Sequence, residues 1–165
     1  MNLKFGAWSL KLTAILLLLA LSCGKNIDYL GIIMTFNESP DERFAQSMEY
    51  NREHGYDTVY VAQDDYKVYT MSDIHVDFST VNLDRYVSDY LADSVAAPFS
   101  LCLGDLINAT GHYDYFLDHV KPVTEAGRKI YYTVGNHDLY FDQWKEYFSK
   151  FGSSTYWFEV HTAGG

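Results

Sequence analysis

The hydrophobic pattern of the chain changes period repeatedly after Tyr56. Short runs of β-branched and aromatic residues alternate with stretches whose apolar residues recur every three to four positions, which is typical of strands alternating with helices. The predicted strands are Thr58 to Ala62, Lys67 to Ser72, Phe99 to Leu103, Lys129 to Val134 and Thr155 to Val160. The predicted helices begin near Leu83, Tyr113 and Phe141 and end near Val95, Ala126 and Phe151.

Local sequence signals predict a helix before the first strand and a turn between the first two strands. Ser39, Pro40 and Glu42 form the sequence of a capping box with proline in the first turn, so a helix is expected from there to Glu53, ending at Gly55. The polar turn at residues 63–65 separates the first two strands and predicts a hairpin or another pairing of these strands. Strand–helix units of about 30 residues then indicate right-handed βαβ crossovers and a largely parallel sheet.

The N-terminus has the pattern of an export signal. Lys4 and Lys11 give a positive segment, residues 12–21 an apolar one, and Cys23 follows directly. Ala20-Leu21-Ser22-Cys23 resembles the lipobox of bacterial lipoproteins, which implies lipidation of Cys23 and an exported, membrane-anchored protein; an ordinary secretory signal is the alternative. The expected organisation is therefore a signal at 1–22, a tether and helix at 23–55 and a globular domain at 56–165.

Composition and net charge limit the kinds of partner that the protein is expected to bind. The 165 residues carry a formal net charge of -10 and are 48% hydrophobic, enough for a globular core. Because the basic residues are scattered, no binding to a nucleic-acid backbone is expected. Cys102, within an apolar strand, is predicted to be a buried packing residue.

Polar side chains follow three predicted strands directly. Asp73 comes after the second strand, Asp105 after the third and Asn136 after the fourth, about one βαβ unit apart. Because the carboxyl ends of parallel strands meet at one edge of a sheet, these side chains are expected to converge there, with Asp105 in the middle. Together with His75 they form a set of oxygen and nitrogen donors suited to Mn, Fe or Zn.

Two glycines precede these donors. Gly104 and Gly135 are predicted to let the backbone turn sharply and approach a ligand closely. Asn108 and His112, in the loop after the third strand, are further candidates for the cleft. His54 and His119 fall in predicted helices and are not expected to bind metal.

These residues also carry a family resemblance. Asp73-Ile74-His75, Gly104-Asp105 and Gly135-Asn136-His137-Asp138, over roughly Val68 to Asp138 and more weakly to Gly152, resemble the N-terminal motifs of calcineurin-like metallophosphoesterases. The resemblance implies that Asp73 and His75 bind a first ion, Asp105 bridges two ions and Asn136 binds the second. It also implies that His137 contacts the phosphate and assists the leaving group, with Asp138 orienting its ring, while water attacks a phosphate ester.

The sequence departs from that family pattern after Asp138. The family continues with another histidine and a Gly-His-x-His element, whereas the only later histidine here is His161. The expectation is a truncated chain that encodes the N-terminal half of the family's αββα sandwich, with a weak or absent second ion. A noncatalytic surface lipoprotein or an inactive fragment that keeps the scaffold is the alternative, and the substrate is left open.

Overall fold

The structure, a computed structural model, describes residues 38–76, 79–93, 97–108 and 111–164. The predicted signal segment and Cys23 lie outside the described residues. The helices are α1 (Pro40–His54), α2 (Val81–Ala92), α3 (Tyr113–Glu125) and α4 (Trp144–Phe151), and a 3₁₀ helix spans His137–Asp142. The strands are β1 (Asp57–Tyr60), β2 (Tyr69–Met71), β3 (Phe99–Leu103), β4 (Lys129–Thr133) and β5 (Phe158–His161). Within the described ranges, no helix combines the length and the apolarity needed to cross a membrane.

A three-stranded parallel sheet carries the candidate site. Its order is β2-β3-β4, with Met71 opposite Cys102 and Leu103 opposite Thr133. Helix α2 connects β2 to β3 and α3 connects β3 to β4, so the expected pair of βαβ crossovers is confirmed. All three strands therefore end at the same edge of the sheet.

The predicted hairpin is wrong, because the first two strands belong to different sheets. Strand β1 instead pairs in parallel with β5, Val59 lying opposite Val160. The Phe158 ring on β5 stacks on Tyr131 at 4.0 Å and meets Phe99 edge-on at 5.1 Å. These aromatic contacts place the β1–β5 pair against the larger sheet, an arrangement that depends on residues about one hundred positions away from the turn.

The capping box of α1 is confirmed. The backbone N–H of Glu42 donates to Ser39 Oγ at 3.3 Å, and the Ser39 N–H donates to Glu42 Oε2 at 2.7 Å. The helix ends at His54, and the Gly55 N–H donates to the Asn51 carbonyl at 2.8 Å. Polar α1 residues face its neighbour α4, as in the hydrogen bond from Trp144 Nε1 to Gln46 Oε1 at 2.6 Å.

The last predicted helix begins three residues later than the sequence pattern indicates. The sequence pattern predicts a single helix from Phe141, but the 3₁₀ helix ends at Asp142 and α4 begins at Trp144. Phe141 and Asp142 adopt left-handed φ angles of 57° and 65°, so the 3₁₀ helix and α4 do not form one continuous helix. His137 lies directly after the strand end, before this change of direction, and Trp144 after it is fully buried in the core.

The core lies between the sheet and helices α2, α3 and α4. Its largest fully buried side chains are Trp144, Tyr90, Tyr113, Tyr147 and Phe116. Cys102 is completely buried at the centre of β3, as predicted, and burial raises the pKa of its thiol. The mixed α/β fold, with parallel sheets and packed helices, agrees with the fold class expected from the sequence and is consistent with part of the metallophosphoesterase fold.

Candidate active site

The loops after β2 and β3 continue the sheet's hydrogen bonding beyond the strand ends. The Asp73 N–H donates to the Gly104 carbonyl at 3.2 Å, and the N–H groups of Ile74 and His75 donate to the Asp105 carbonyl at 2.9 and 3.1 Å. Asp73, His75 and Asp105 all have left-handed φ angles, between 45° and 53°. Such a concentration of unfavourable backbone conformations is typical of functional loops, where the surrounding structure holds the chain in place.

Gly104 and Gly135 make the close approach of two loops possible. A Cβ on Gly104 would lie 2.6 Å from the Gly135 nitrogen, and one on Gly135 would overlap Asp105 Oδ1. The close approach that these two glycines permit is therefore to the neighbouring backbone and to the Asp105 carboxylate. The two glycines set the position of Asp105.

Asp105 stands at the centre of the site. Its Oδ1 accepts a hydrogen bond from the His137 backbone N–H at 2.9 Å, and its Oδ2 lies 4.0 Å from His75 Nε2. Ligand atoms of His75, Asp105 and His137 all lie within 4.8 Å of one another, and all three residues are partly buried. One carboxylate oxygen and two imidazole nitrogens at this separation can converge on a single cation.

The His137 ring is held between two aromatic neighbours. It meets the His75 ring edge-on at 4.4 Å and packs against Tyr140 at 4.5 Å. Its Nδ1 is buried and has no hydrogen-bond partner among the residues that the structure describes. A buried imidazole nitrogen without a partner costs free energy, so this atom fits a role as a metal ligand or as a contact to a bound anion.

Asp138 fastens the backbone of two loops. Its Oδ1 accepts hydrogen bonds from the N–H groups of Leu106 at 2.9 Å and Ile107 at 3.4 Å, and its Oδ2 accepts from Gly135 at 2.9 Å. Burial raises the pKa of this completely buried carboxyl to about 6, although the three backbone donors oppose the shift. The hydrogen bonds of Asp138 thus hold loop backbone and not, as the sequence suggested, the ring of His137.

The other two predicted ligands lie at the rim. Asp73 is exposed, its Oδ2 accepts a hydrogen bond from the Ser72 hydroxyl, and it is not one of the three clustered residues. Asn136 is also exposed, and its Nδ2 donates to the Tyr140 hydroxyl at 2.8 Å. Of the three predicted His and Asp ligands, the structure therefore clusters His75 and Asp105, and it adds His137.

Asn108 and His112 are partly buried in the loop between β3 and α3, at the same edge of the sheet. His112 does not belong to the clustered group and is the N-cap residue of α3. Tyr140, which touches both Asn136 and His137, was missed from the sequence. Its spacing of three from His137 was the available signal, since residues three apart share a face in a 3₁₀ helix.

Comparison with known proteins agrees with this geometry. The model of the calcineurin-like phosphoesterase family matches residues 66–163, more than half of the chain. The match includes the loops after β2, β3 and β4 and reaches past the resemblance at Val68 to Asp138 into β5. No curated protein and no solved structure matches the chain. On the family match, the chain belongs to the calcineurin-like phosphoesterases.

Proposed function

We propose that this protein hydrolyses phosphate esters, monoesters or diesters, with the help of metal ions held at the edge of the parallel sheet. The observation that carries the proposal is the convergence of His75, Asp105 and His137 within 4.8 Å, inside the region that matches the phosphoesterase family. The family implies a metal-dependent hydrolase, and the donor set is suited to Mn, Fe or Zn.

His75 and Asp105 are the proposed core of the metal site. The left-handed backbone at both residues and the hydrogen bonds between their loops hold the two side chains on the same side of the sheet edge. Asp73 would join them by exchanging its hydrogen bond from Ser72 for a cation. Asn136 would supply an amide oxygen to a second ion, with Asp105 between the two. Bound metal supplies polarisation of the phosphoryl group and activation of water.

His137 is the proposed contact to the phosphate. Its backbone N–H is fixed by Asp105 Oδ1, and its ring is fixed between His75 and Tyr140, so the imidazole has little freedom. In this position it can hold a proton for the departing oxygen of the ester, or bind the cation through a ring nitrogen. Asp138 keeps the two loops at their spacing through its three backbone hydrogen bonds.

The direct test combines metal analysis with turnover of aryl phosphate mono- and diesters. Metal-stripped protein is expected to be inactive and to regain turnover with Mn²⁺. Asp105→Ala should lose metal and activity together, and His137→Ala should lower turnover by roughly 10²-fold or more. His54→Ala, at the end of α1, is the control. Absence of bound metal together with absence of turnover in Mn²⁺ would refute the proposal.

Membrane anchoring is a separate proposal that rests on the sequence alone. Cys23 follows an apolar segment and would carry the lipid, which would place the catalytic domain on an exported membrane face. Expression in a bacterium with a radiolabelled fatty acid tests it. Label and membrane association should both disappear in Cys23→Ser, and an unlabelled wild-type chain would contradict the assignment.

A further inference from the structure

Tyr140 contacts two residues of the candidate site at once. Its hydroxyl accepts a hydrogen bond from Asn136 Nδ2 at 2.8 Å, and its ring packs against His137 at a centroid distance of 4.5 Å. The 3₁₀ turn brings residues 137 and 140 onto one face, and the backbone of Tyr140 leaves helical geometry, with ψ of 147°. The side chain is therefore folded back over the loop that follows β4.

The hydrogen bond to Asn136 selects one end of an amide. An asparagine side chain has a carbonyl oxygen that can bind a cation and an NH₂ group that cannot, and rotation about its last bond exchanges them. Because the Tyr140 hydroxyl accepts from Nδ2, the Oδ1 end is turned away from Tyr140. This is the end that a metal requires.

The backbone after Tyr140 keeps the ring in this position. Phe141 and Asp142 both have left-handed φ angles, an arrangement that non-glycine residues adopt only when the surrounding structure enforces it. The fully buried Trp144 anchors the following helix in the core. The chain is thus held on both sides of Tyr140, by β4 before it and by Trp144 after it.

We propose that Tyr140 is a positioning residue of the metal site: its hydroxyl orients the Asn136 amide and its ring supports the His137 imidazole, so that both residues present their ligand atoms to a divalent cation. The proposal rests on the proposed function, because it assigns Tyr140 a role toward the same cation. Partners of this kind, which orient metal ligands without touching the metal, change metal affinity roughly 10- to 100-fold when removed.

The experiment measures Mn²⁺ binding by calorimetry for the full chain and four variants. Tyr140→Phe keeps the ring on His137 and removes only the hydroxyl, so it should weaken Mn²⁺ binding roughly tenfold with unchanged thermal stability. Asn136→Ala should weaken binding on its own, and Tyr140→Phe should add nothing in the Asn136→Ala background. Tyr115→Phe, an exposed tyrosine on α3, is the matched control and should bind as wild type.

A second readout does not need metal. In metal-free protein, the Asn136 side-chain amide signals should shift in NMR spectra on Tyr140→Phe but not on Tyr115→Phe. Unchanged amide signals, unchanged Mn²⁺ affinity of Tyr140→Phe, or an equal loss in the Asn136→Ala background would each overturn the role of Tyr140 while leaving the proposed hydrolase intact. A wild-type chain that binds no Mn²⁺ would instead overturn the metal-dependent function and, with it, this role.

Discussion

Replacing Gly104 by alanine tests how the two central loops of the site are held together. Gly104 has a φ of 84°, and a Cβ there would lie 2.6 Å from the nitrogen and 2.8 Å from the Cα of Gly135. These are backbone atoms, which cannot rotate away as a side chain would. Gly127 is the matched control, since its φ is 74° and no atom lies within 4 Å of the position that a Cβ would take there.

Both variants place a side chain on a left-handed backbone, but only Gly104→Ala also introduces a steric clash. A left-handed backbone costs a non-glycine residue about 1–2 kcal/mol, and this applies to both positions. Overpacking adds about 1–3 kcal/mol, and only at Gly104. We therefore expect Gly104→Ala to lower the free energy of unfolding by about 2–5 kcal/mol and Gly127→Ala by about 1–2 kcal/mol.

Urea denaturation followed by circular dichroism measures both values, with equal m-values as the check that only stability has changed. Because a displaced Gly135 moves Asp105, Gly104→Ala should also weaken Mn²⁺ binding, whereas Gly127→Ala should not. Equal losses of stability in the two variants, within about 0.5 kcal/mol, would refute the close approach of the two loops.

Two further predictions concern groups outside the site. Asp57 Oδ2 lies 2.6 Å from Lys129 Nζ and accepts a hydrogen bond from the Tyr131 hydroxyl at 2.7 Å. Burial raises the pKa of Asp57, but these hydrogen bonds outweigh the effect of burial, so the pKa is lowered. The stabilisation from the Asp57–Lys129 pair, at most about 1 kcal/mol for so exposed a pair, should be present above pH 3.8 and be lost as the pH falls below it. The free energy of unfolding of wild type and Asp57→Asn, measured against pH, checks this. A pH-independent difference between the two would contradict it. In a Cys23→Ser chain, Cys102 should react with a thiol reagent only after unfolding in urea, because it is buried and its thiol pKa is raised; rapid labelling of native protein would contradict its burial.

Local sequence patterns predict most strands of the sheet and the donor groups at its edge. The strand Phe99–Leu103 has the predicted bounds, and α1 begins and ends where the capping box and Gly55 indicated. These features depend on neighbours within a few residues, such as a capping side chain or a run of β-branched residues, so they can be predicted from the sequence. Asp105 also lies at the centre of the site because it follows β3, the middle strand of the order β2-β3-β4, which is the order expected for two successive βαβ units.

The pairing of distant strands and the contacts between distant side chains depend on long-range packing. Strand β1 pairs with β5, which lies about one hundred residues later in the chain, and the Tyr56 and Trp157 rings stack at 3.5 Å beside this pair; no local pattern encodes that choice. Asp138 is adjacent in sequence to His137, yet its buried carboxylate accepts three backbone hydrogen bonds, two from the loop after β3 and one from its own loop. Tyr140 contacts Asn136 at a kink where Tyr140 and Phe141 leave helical geometry. Sequence motifs fix which donor groups a loop carries, whereas long-range packing fixes the direction in which each one points.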